Sequence, residues 1–388
     1  MIILVFPLYK RISGGGVVAT AFAADISDDG ISPTVDCIWN RDSGSRLGGI
    51  RFPSRNPLGI TFGVLTYIPL LLSLAWRIYI VSLNQKNCSV IVTHFSTLPL
   101  AFLLKLVRSR VRVINFYQDK EWKFFGGLIL PGFIRAISFL SFYFSDIIVY
   151  ANKYLESIPS DLGVASVENR RSLHSAPSRH IVYPIWCDKR FVDSAAHCFK
   201  CPLIREYDVA FCVRSGYAKN PSAYLDFSRI SHKSPDPLRL VAFGPSNTPF
   251  LADVSRLDNV QTEYDCNFTT IAEILSNSRM FLVLSRHEGF GLTALEAMAF
   301  GCVPLVLDNG GCSNFLSGYP ELILPQNSSP RTILERANVI LGDVDNLACL
   351  SQRLMIEAAS GLHSASRDRS IASAKIRELI TNSNLSRK

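Results

Sequence analysis

The chain has 388 residues, enough for two domains that each bury a core of their own. Hydrophobic residues make up 48% and charged residues only 19%, with a mean hydropathy of +0.20, which favours a membrane protein or an enzyme that works against a bilayer. The net charge of +8 favours anionic partners such as phosphates or lipid headgroups. Nucleic-acid binding is not expected, because the sequence has no Lys/Arg run and no zinc-finger spacing.

Targeting and redox signals predict a cytoplasmic protein. We extend this prediction to a peripheral position at the inner face of the plasma membrane. Met1 runs directly into an apolar, strand-like segment, so we predict no signal peptide. The ten cysteines are scattered, which is typical of reduced thiols. Cys198 and Cys201 form one CxxC beside His197, but no second pair supplies the remaining ligands of a zinc site, and no metal is expected.

Residues Pro57–Trp76 form the one stretch that is long and apolar enough to span a bilayer. Pro69 interrupts it, and the stretch falls where an alternating α/β pattern needs a helix. We interpret it as an apolar helix that packs on a sheet or lies in the interface, with a true span as the alternative.

Strand and helix patterns alternate along the whole chain, which predicts parallel sheets with helices on both faces. The predicted strands are Ile2–Phe6, Thr34–Trp39, Ser89–Thr93, Val111–Phe116, Ile147–Tyr150, Asp208–Val213, Leu238–Phe243, Met280–Leu284 and Val303–Leu307. The predicted helices include Val17–Ala24, Leu100–Val107, Leu292–Phe300 and Ser370–Ile380.

A change of pattern near Tyr207 divides the chain. We predict an amino-terminal domain over 1–185, a linker over 186–206 and a carboxy-terminal domain over 207–365. Residues 366–388 are predicted as a final helix that crosses back to the first domain.

Residues Ser285–Gly301 carry the strongest functional signal. A strand leads into a loop with glycines at 289 and 291, and the loop leads into a helix. A helix N-terminus with exposed N–H groups suits a pyrophosphate, and glycine allows a ligand to approach the backbone closely. Glu288 lies at the mouth of the strand, and Glu296 lies one turn inside the helix.

Both carboxylates also have simpler interpretations. Thr293 and Glu296 have the spacing of a capping box, so Glu296 could tie the start of the helix. Glu288 could be an acid on an exposed loop. The spacing alone leaves these alternatives open.

The segment EGFGLTALEAMAFG resembles the Glu-x7-Glu signature of retaining glycosyltransferases with the GT-B fold, of the family four (group 1) type. Further similarity is found in FCVRSGYAKN around Arg214 and Lys219, in LVAFGPSN at 240–247, in NGG at 309–311, and in 145–154 and 182–188. The resemblance is specific in the second domain and looser in the first. It implies an α/β architecture of two Rossmann-like domains whose parallel sheets face a central cleft.

The resemblance also implies the roles of individual residues. Glu296 would hold the ribose hydroxyls and Glu288 the hydroxyls of the transferred sugar, while Arg214 and Lys219 would grip the donor diphosphate. Fixed cations would stabilise the charge that develops on that leaving group, without a metal or other cofactor. Backbone N–H groups would help to bind the donor at Gly289, Phe290, Gly291 and Leu292.

In the first domain the resemblance places Gly15 and Gly16, in the loop Lys10–Gly16, against the donor phosphates. His94 matches a histidine common after the third strand, although a structural histidine is the alternative. Tyr117 stands where many members have a histidine, so we hypothesise that Gln118 or Asp119 replaces it, as in a variant found in rhamnosyltransferase-like members.

The predicted function is transfer of a hexosyl or deoxyhexosyl group from a nucleotide-diphosphate sugar to a hydroxyl of a lipid-linked glycan or polysaccharide, as in bacterial surface polysaccharide synthesis. The alternatives are a nucleotide-sugar epimerase or hydrolase of the same fold, and a non-catalytic carbohydrate-binding relic. Association with the inner leaflet is a further hypothesis, based on the apolar stretch 58–81, the aromatic run Phe139–Phe144 and a basic cluster. The cluster comprises Lys105, Arg108, Arg110 and Arg112.

Overall fold

The computed structural model of the chain describes two α/β units. The described residues are 2–9, 14–27, 34–40, 71–76, 78–80, 82–83, 88–93, 97–107, 111–163, 179–198 and 200–382.

The first unit contains a six-stranded parallel sheet with the order β2-β1-β3-β4-β5-β6. Its central strands are continuous apolar runs; Val90, Ile91 and Val92, for example, are fully buried. Such runs are expected where helices cover both faces of a parallel sheet. The strands are β1 (Ile2–Tyr9), β2 (Thr34–Asn40), β3 (Ser89–Val92), β4 (Arg112–Tyr117), β5 (Ile147–Tyr150) and β6 (Arg179–Val182).

The described helices of this unit include α1 (Gly14–Ile26), α2 (Pro99–Leu106), α3 (Ile129–Phe144) and α4 (Ile158–Asp161). Pro99 stands in the first turn of α2, where it forfeits no helical hydrogen bond. Residues 71–76 and 78–80 are also helical, and Leu71, Leu74 and Ile78 are buried in the core beside β3 and α2. The carboxyl end of Pro57–Trp76 is therefore a packed helix, and residues 57–70 lie outside the described part. None of the described helices has both the length and the apolarity needed to cross a membrane.

The second unit has its own six-stranded parallel sheet, with the order β12-β11-β10-β7-β8-β9. Here too the central strands are buried throughout, and the core continues through them from one helical layer to the other. The strands are β7 (Tyr207–Cys212), β8 (Leu240–Gly244), β9 (Val260–Tyr264), β10 (Ser278–Val283), β11 (Val303–Leu307) and β12 (Ile323–Leu324).

The helices of the second half alternate with these strands. They are α5 (Lys189–Cys198), α6 (Pro221–His232), α7 (Pro249–Val254), α8 (Phe268–Ser276), α9 (Leu292–Ala299), α10 (Gly311–Phe315), α11 (Pro330–Gly342) and α12 (Val344–Asn382). The helix predicted at Ser370–Ile380 is the last part of α12, which is far longer than its sequence pattern suggests.

Contacts divide the chain into one unit of Met1–Trp122, Gly127–Ile185 and Arg367–Lys388, and another of Lys123–Gly126 and Trp186–Ser366. The predicted linker over 186–206 is not a separate segment. It carries α5, and Phe191 and Ala195 on that helix are buried in the core of the second unit.

Candidate functional site

The centre of the second sheet contains a change of direction in strand order. The chain runs from β7 outward through β8 and β9, then returns to β10 on the other side of β7. In open α/β sheets, ligands bind outside the carboxyl ends of the strands at such a point. Arg214 and Lys219 follow β7, and Glu288 follows β10, so three of the predicted site residues flank this crevice.

Hydrogen bonds join the loops that follow β7 and β10. The backbone N–H groups of Arg286 and His287 donate to the carbonyl of Ala218 at 2.8 and 3.3 Å. The Asn220 side chain donates from Nδ2 to the carbonyl of Leu284 at 3.0 Å. Because these hydrogen bonds connect the two loops, the side chains of Lys219 and Glu288 extend from backbone segments that are held in place relative to each other.

A third loop, after β11, braces Glu288. The Glu288 N–H donates to the Asn309 carbonyl at 3.1 Å, and the Gly311 N–H donates to the Glu288 carbonyl at 2.9 Å. A Cβ at position 311 would lie 2.6 Å from both the Glu288 carbonyl oxygen and the Phe290 nitrogen. Only glycine allows this close approach, which accounts for the NGG motif physically.

Gly291 forms the N-cap of α9, in the left-handed conformation with φ of 88°. A Cβ at this position would collide with the Cys312 sulfur. Glycine therefore lets the chain turn sharply from the loop after β10 into α9. The N-terminus of α9 carries the positive end of the helix dipole. The centroid of the Phe290 ring lies 6.0 Å from that of Trp186 and 5.9 Å from that of Phe315. These ring contacts hold the loop beside Gly289 in place.

Lys219 and Glu288 form an ion pair across the two loops. The Lys219 ammonium donates to both carboxylate oxygens of Glu288 at 2.8 Å. The exposed fractions of the two side chains are 27% and 16%. The alternative of a freely exposed loop acid at Glu288 is thus wrong.

Arg214 lies near the carboxylates of Glu288 and Glu296. The pKa of its guanidinium is raised by the neighbouring Cys212, and further by Glu288 and Glu296. Burial raises the pKa of the Cys212 thiol, and Arg214 opposes that shift. The site therefore combines two cations with two acids around the end of β7.

Glu296 does not form a capping box. The N-cap of α9 is Gly291, so Thr293 is already inside the helix and no side chain caps its start. Glu296 lies one turn further along, half-buried, and burial raises the pKa of its carboxyl to about 7. Arg214 lowers that pKa and the Asp188 carboxylate raises it. An acid kept in such surroundings is available to accept hydrogen bonds from a ligand.

The first unit holds the remaining predicted site residues. Gly15 and Gly16 are not in a loop: they belong to the first turn of α1, which begins at Gly14, three residues before the helix that the sequence predicted. His94, and the part of the predicted glycine loop before Gly14, lie outside the described residues.

Residues around the end of β4 differ in their suitability for chemistry. Tyr117 is buried, its hydroxyl donates to the Ser138 carbonyl at 3.1 Å, and burial raises its pKa, so it is a core residue. Asp119 accepts from the N–H of Lys120 at 2.7 Å. The buried Lys120 ammonium lies 2.6 Å from Asp161 and donates to Ser157 at 2.6 Å, so it holds α4 to this loop.

Sequence reasoning missed several neighbours of the site. Asp188, which bonds the Arg190 guanidinium at 2.8 Å, lies in electrostatic range of Glu296 but was noted only as the end of a motif. Asn220 has φ of 50°, and Pro221 follows it at the start of α6. The Asn–Pro pair is a helix-start signal that could have drawn attention to it.

Within the described residues, no group of three or more His, Cys, Asp or Glu side chains is close enough to hold an ion.

Comparison with known families matches residues 206–348 to the family described as "Glycosyl transferases group 1". The matched range includes Arg214, Lys219, Glu288 and Glu296. The chain is also 34% identical, over 58 residues, to the GDP-mannose:cellobiosyl-diphosphopolyprenol alpha-mannosyltransferase of Xanthomonas campestris. That stretch is 15% of this chain and 15% of the length of that relative.

Two solved structures resemble the whole chain. The alpha,alpha-trehalose 6-phosphate synthase of Burkholderia multivorans has a TM-score of 0.70 at 14% identity, with 100% of this chain and 98% of that chain covered. The sucrose-phosphate synthase of Thermosynechococcus elongatus has a TM-score of 0.64 at 14% identity, with 96% and 99% covered. The predicted GT-B fold, with its two α/β units, is confirmed by these likenesses.

Proposed function

We propose that this chain, which belongs to the group 1 glycosyltransferases and has the GT-B fold, transfers a sugar from a nucleotide-diphosphate donor to a hydroxyl of a lipid-linked or polysaccharide acceptor, with retention of anomeric configuration. The observation that carries the proposal is the cluster of Arg214, Lys219, Glu288 and Glu296 at the β7/β10 switch point.

The two cations suit the leaving group. When the glycosidic bond breaks, its electron pair goes to the nucleoside diphosphate, whose terminal phosphate gains negative charge. A guanidinium makes fork-shaped contacts with phosphate oxygens, and an ammonium adds a point charge. Arg214 and Lys219 therefore would stabilise the transition state more than the ground state, and we propose that no metal is needed.

The two acids suit the hydroxyl groups of the donor. Glu296, on the first turns of α9, would accept hydrogen bonds from the ribose. Glu288, at the mouth of β10, would accept from hydroxyls of the transferred sugar. The backbone N–H groups at the start of α9, near Gly291 and Leu292, would add positive dipole charge toward the phosphates.

The acceptor is proposed from the name of a relative. A relative of the chain acts, by its name, on a cellobiosyl-diphosphopolyprenol, and a solved relative is described as bound with UDP-2-fluoro glucose. We propose a lipid-linked glycan as acceptor, synthesised at the cytoplasmic face of a membrane, with Asp119 near its reactive hydroxyl. If Asp119→Asn leaves turnover intact, that role for Asp119 is wrong.

Membrane association is supported by the exposed face of α3. Leu128, Ile129 and Phe133, at the start of this helix, are exposed to 91, 90 and 62%. In the predicted basic cluster, Lys105 is paired with Asp146 at 2.6 Å, and Arg108 and Arg110 lie outside the described residues. We propose that α3 rests on the bilayer surface mainly through apolar contact.

A screen of nucleotide sugars tests the proposed function. A donor that binds only the folded protein raises its melting temperature, so we expect a shift with one of UDP-glucose, GDP-mannose and related sugars. The best donor is then assayed for transfer to a lipid-linked acceptor, with NMR of the product to assign the anomer. Glu296→Ala is the control and should abolish the shift.

The outcomes separate the alternatives. An epimerase or hydrolase would convert the donor without any acceptor, whereas a binding relic would shift the melting temperature without turnover. A folded protein that responds to no nucleotide sugar would remove the proposal altogether.

A further inference from the structure

The Lys219–Glu288 pair is built into the frame of the site. Lys219 donates its backbone N–H to Gly216 at 3.2 Å, and Glu288 is held on both sides by the Asn309–Gly311 loop. Both carboxylate oxygens take a bond from one ammonium group. The backbones of both residues are held by hydrogen bonds, and both side chains are mostly shielded from water. The pair therefore has a more fixed geometry than an ion pair between two exposed side chains.

This pair sets a competition for Lys219. An ammonium has three N–H donors, and Glu288 engages its charge through both oxygens. A diphosphate that binds Lys219 must share it with a carboxylate or displace that carboxylate. In either arrangement the phosphate and the Glu288 carboxylate are two negative charges a few ångströms apart, and they repel each other.

A nucleotide sugar offers compensation that a bare diphosphate lacks. Sugar hydroxyls can donate hydrogen bonds to Glu288, and these replace the bonds that the carboxylate loses from Lys219. A nucleoside diphosphate carries no sugar on its terminal phosphate. It therefore offers Glu288 no hydroxyl groups to replace the hydrogen bonds that the carboxylate loses from Lys219.

We infer that Glu288 makes the donor site discriminate against its own product, the nucleoside diphosphate, by competing for Lys219. The inference rests on the proposed function and deepens it. Glu288 holds the donor while the sugar is attached. When the sugar has moved to the acceptor, Glu288 recovers Lys219 and speeds release of the diphosphate.

Glu288→Gln tests this directly, since glutamine keeps the size and an acceptor oxygen but removes the charge. Titration calorimetry would measure UDP and GDP against UDP-glucose and GDP-mannose. We expect the nucleoside diphosphate of the preferred base to bind about tenfold more tightly to the variant, while its nucleotide sugar binds equally or more weakly. The ratio of the two affinities therefore changes by at least about tenfold.

Two further variants keep the test specific. Glu296→Gln also removes a carboxylate near Arg214 but makes no bond to Lys219, and it should weaken both ligands alike through the ribose. In a Lys219→Gln background, Glu288→Gln should no longer tighten the diphosphate, because the group competed for is gone.

An unchanged affinity ratio in Glu288→Gln overturns the inference, as does equal tightening by Glu288→Gln and Glu296→Gln, which would indicate general electrostatics. If the wild-type chain binds a nucleotide sugar more tightly than the matching nucleoside diphosphate, the proposed donor stands whatever the variant does. If it binds neither, the proposed function fails first.

Discussion

The two sheets of this chain share a plan and differ in what their strand ends carry. In each, the first strand is an interior strand, and the chain moves outward to one side of it and then returns to the other side. At the switch point of the second sheet, Arg214, Lys219 and Glu288 lie on loops that are hydrogen-bonded together. At the end of β4 in the first sheet, by contrast, Tyr117 is a core residue and Lys120 holds a neighbouring helix.

The difference shows that a Rossmann-like topology supplies a place for a ligand, whereas the chemistry depends on a few loop residues. The second unit concentrates charged side chains at the ends of β7 and β10. The most distinctive described surface of the first unit is apolar: the exposed start of α3. If the two units have separate roles, substitutions in the charged cluster should impair turnover, and substitutions at the start of α3 should impair membrane binding.

Arg214→Ala should have the largest effect. If Arg214 contacts the leaving diphosphate as proposed, its removal takes away stabilisation that is strongest in the transition state, so we expect the turnover number to fall about 10²- to 10³-fold. Steady-state kinetics at saturating donor would measure it. Arg331→Ala, which removes an arginine exposed to 83% on α11, is the matched control. A turnover number within threefold of wild type for Arg214→Ala would contradict the assigned role.

Glu296→Gln should abolish a pH dependence of donor binding. In the proposed role, Glu296 accepts hydrogen bonds from the ribose hydroxyls and does so best as a carboxylate, and its pKa is raised to about 7 by burial. Wild-type affinity for the nucleotide sugar should therefore rise about tenfold between pH 6 and pH 8, as the group loses its proton. The glutamine variant should bind weakly at both pH values. A wild-type affinity that is flat over this range would exclude Glu296 as the titrating group.

The same group links the stability of the fold to pH with a defined sign. Because the folded-state pKa is raised above the ordinary value of 4.5, the native state retains a proton that the unfolded chain releases. The stability contributed by the protonated acid is complete below about pH 4.5 and is lost as pH rises through about 7. The Gln variant should therefore gain in melting temperature relative to wild type at pH 8 and not at pH 5.

Sequence patterns predicted the strands well, because buried parallel strands are continuous apolar runs; Ile147–Tyr150 and Val303–Leu307 match residue for residue. The motifs also identified Glu288, Glu296 and Lys219 as separate site residues, but not the ion pair that Lys219 forms with Glu288. The ion pair between Lys219 and Glu288 joins residues 69 positions apart, and no local pattern encodes such a contact.

Local patterns also misled where a competing preference decided the outcome. Thr293 and Glu296 have capping-box spacing, yet Gly291 starts the helix, because only glycine fits the left-handed turn against Cys312. Three glycines at 14–16 suggest a flexible loop, yet they begin α1. The linker predicted at 186–206 folds onto the second core because Phe191 finds an apolar site there, which the polar composition of the segment concealed.

The smallest predicted effect concerns the first unit. Leu128→Ser combined with Ile129→Ser removes the two most exposed apolar side chains of the α3 region, at 91 and 90% exposure. If this face rests on a bilayer, its loss should lower binding to anionic liposomes about fivefold, since interfacial affinity scales with buried apolar area. Cosedimentation with vesicles of mixed phosphatidylglycerol and phosphatidylethanolamine would measure it.

The second unit supplies a matched control for that experiment. Val339 and Ile356 are exposed to 64 and 62% on α11 and α12, so Val339→Ser with Ile356→Ser removes two exposed apolar side chains outside the first unit. Equal loss in both double variants would mean that binding follows overall hydrophobicity. A wild-type chain that does not cosediment at low salt would remove the membrane proposal. The proposed donor binding by Arg214 and Glu296, which lie in the second unit, would not be affected by that result.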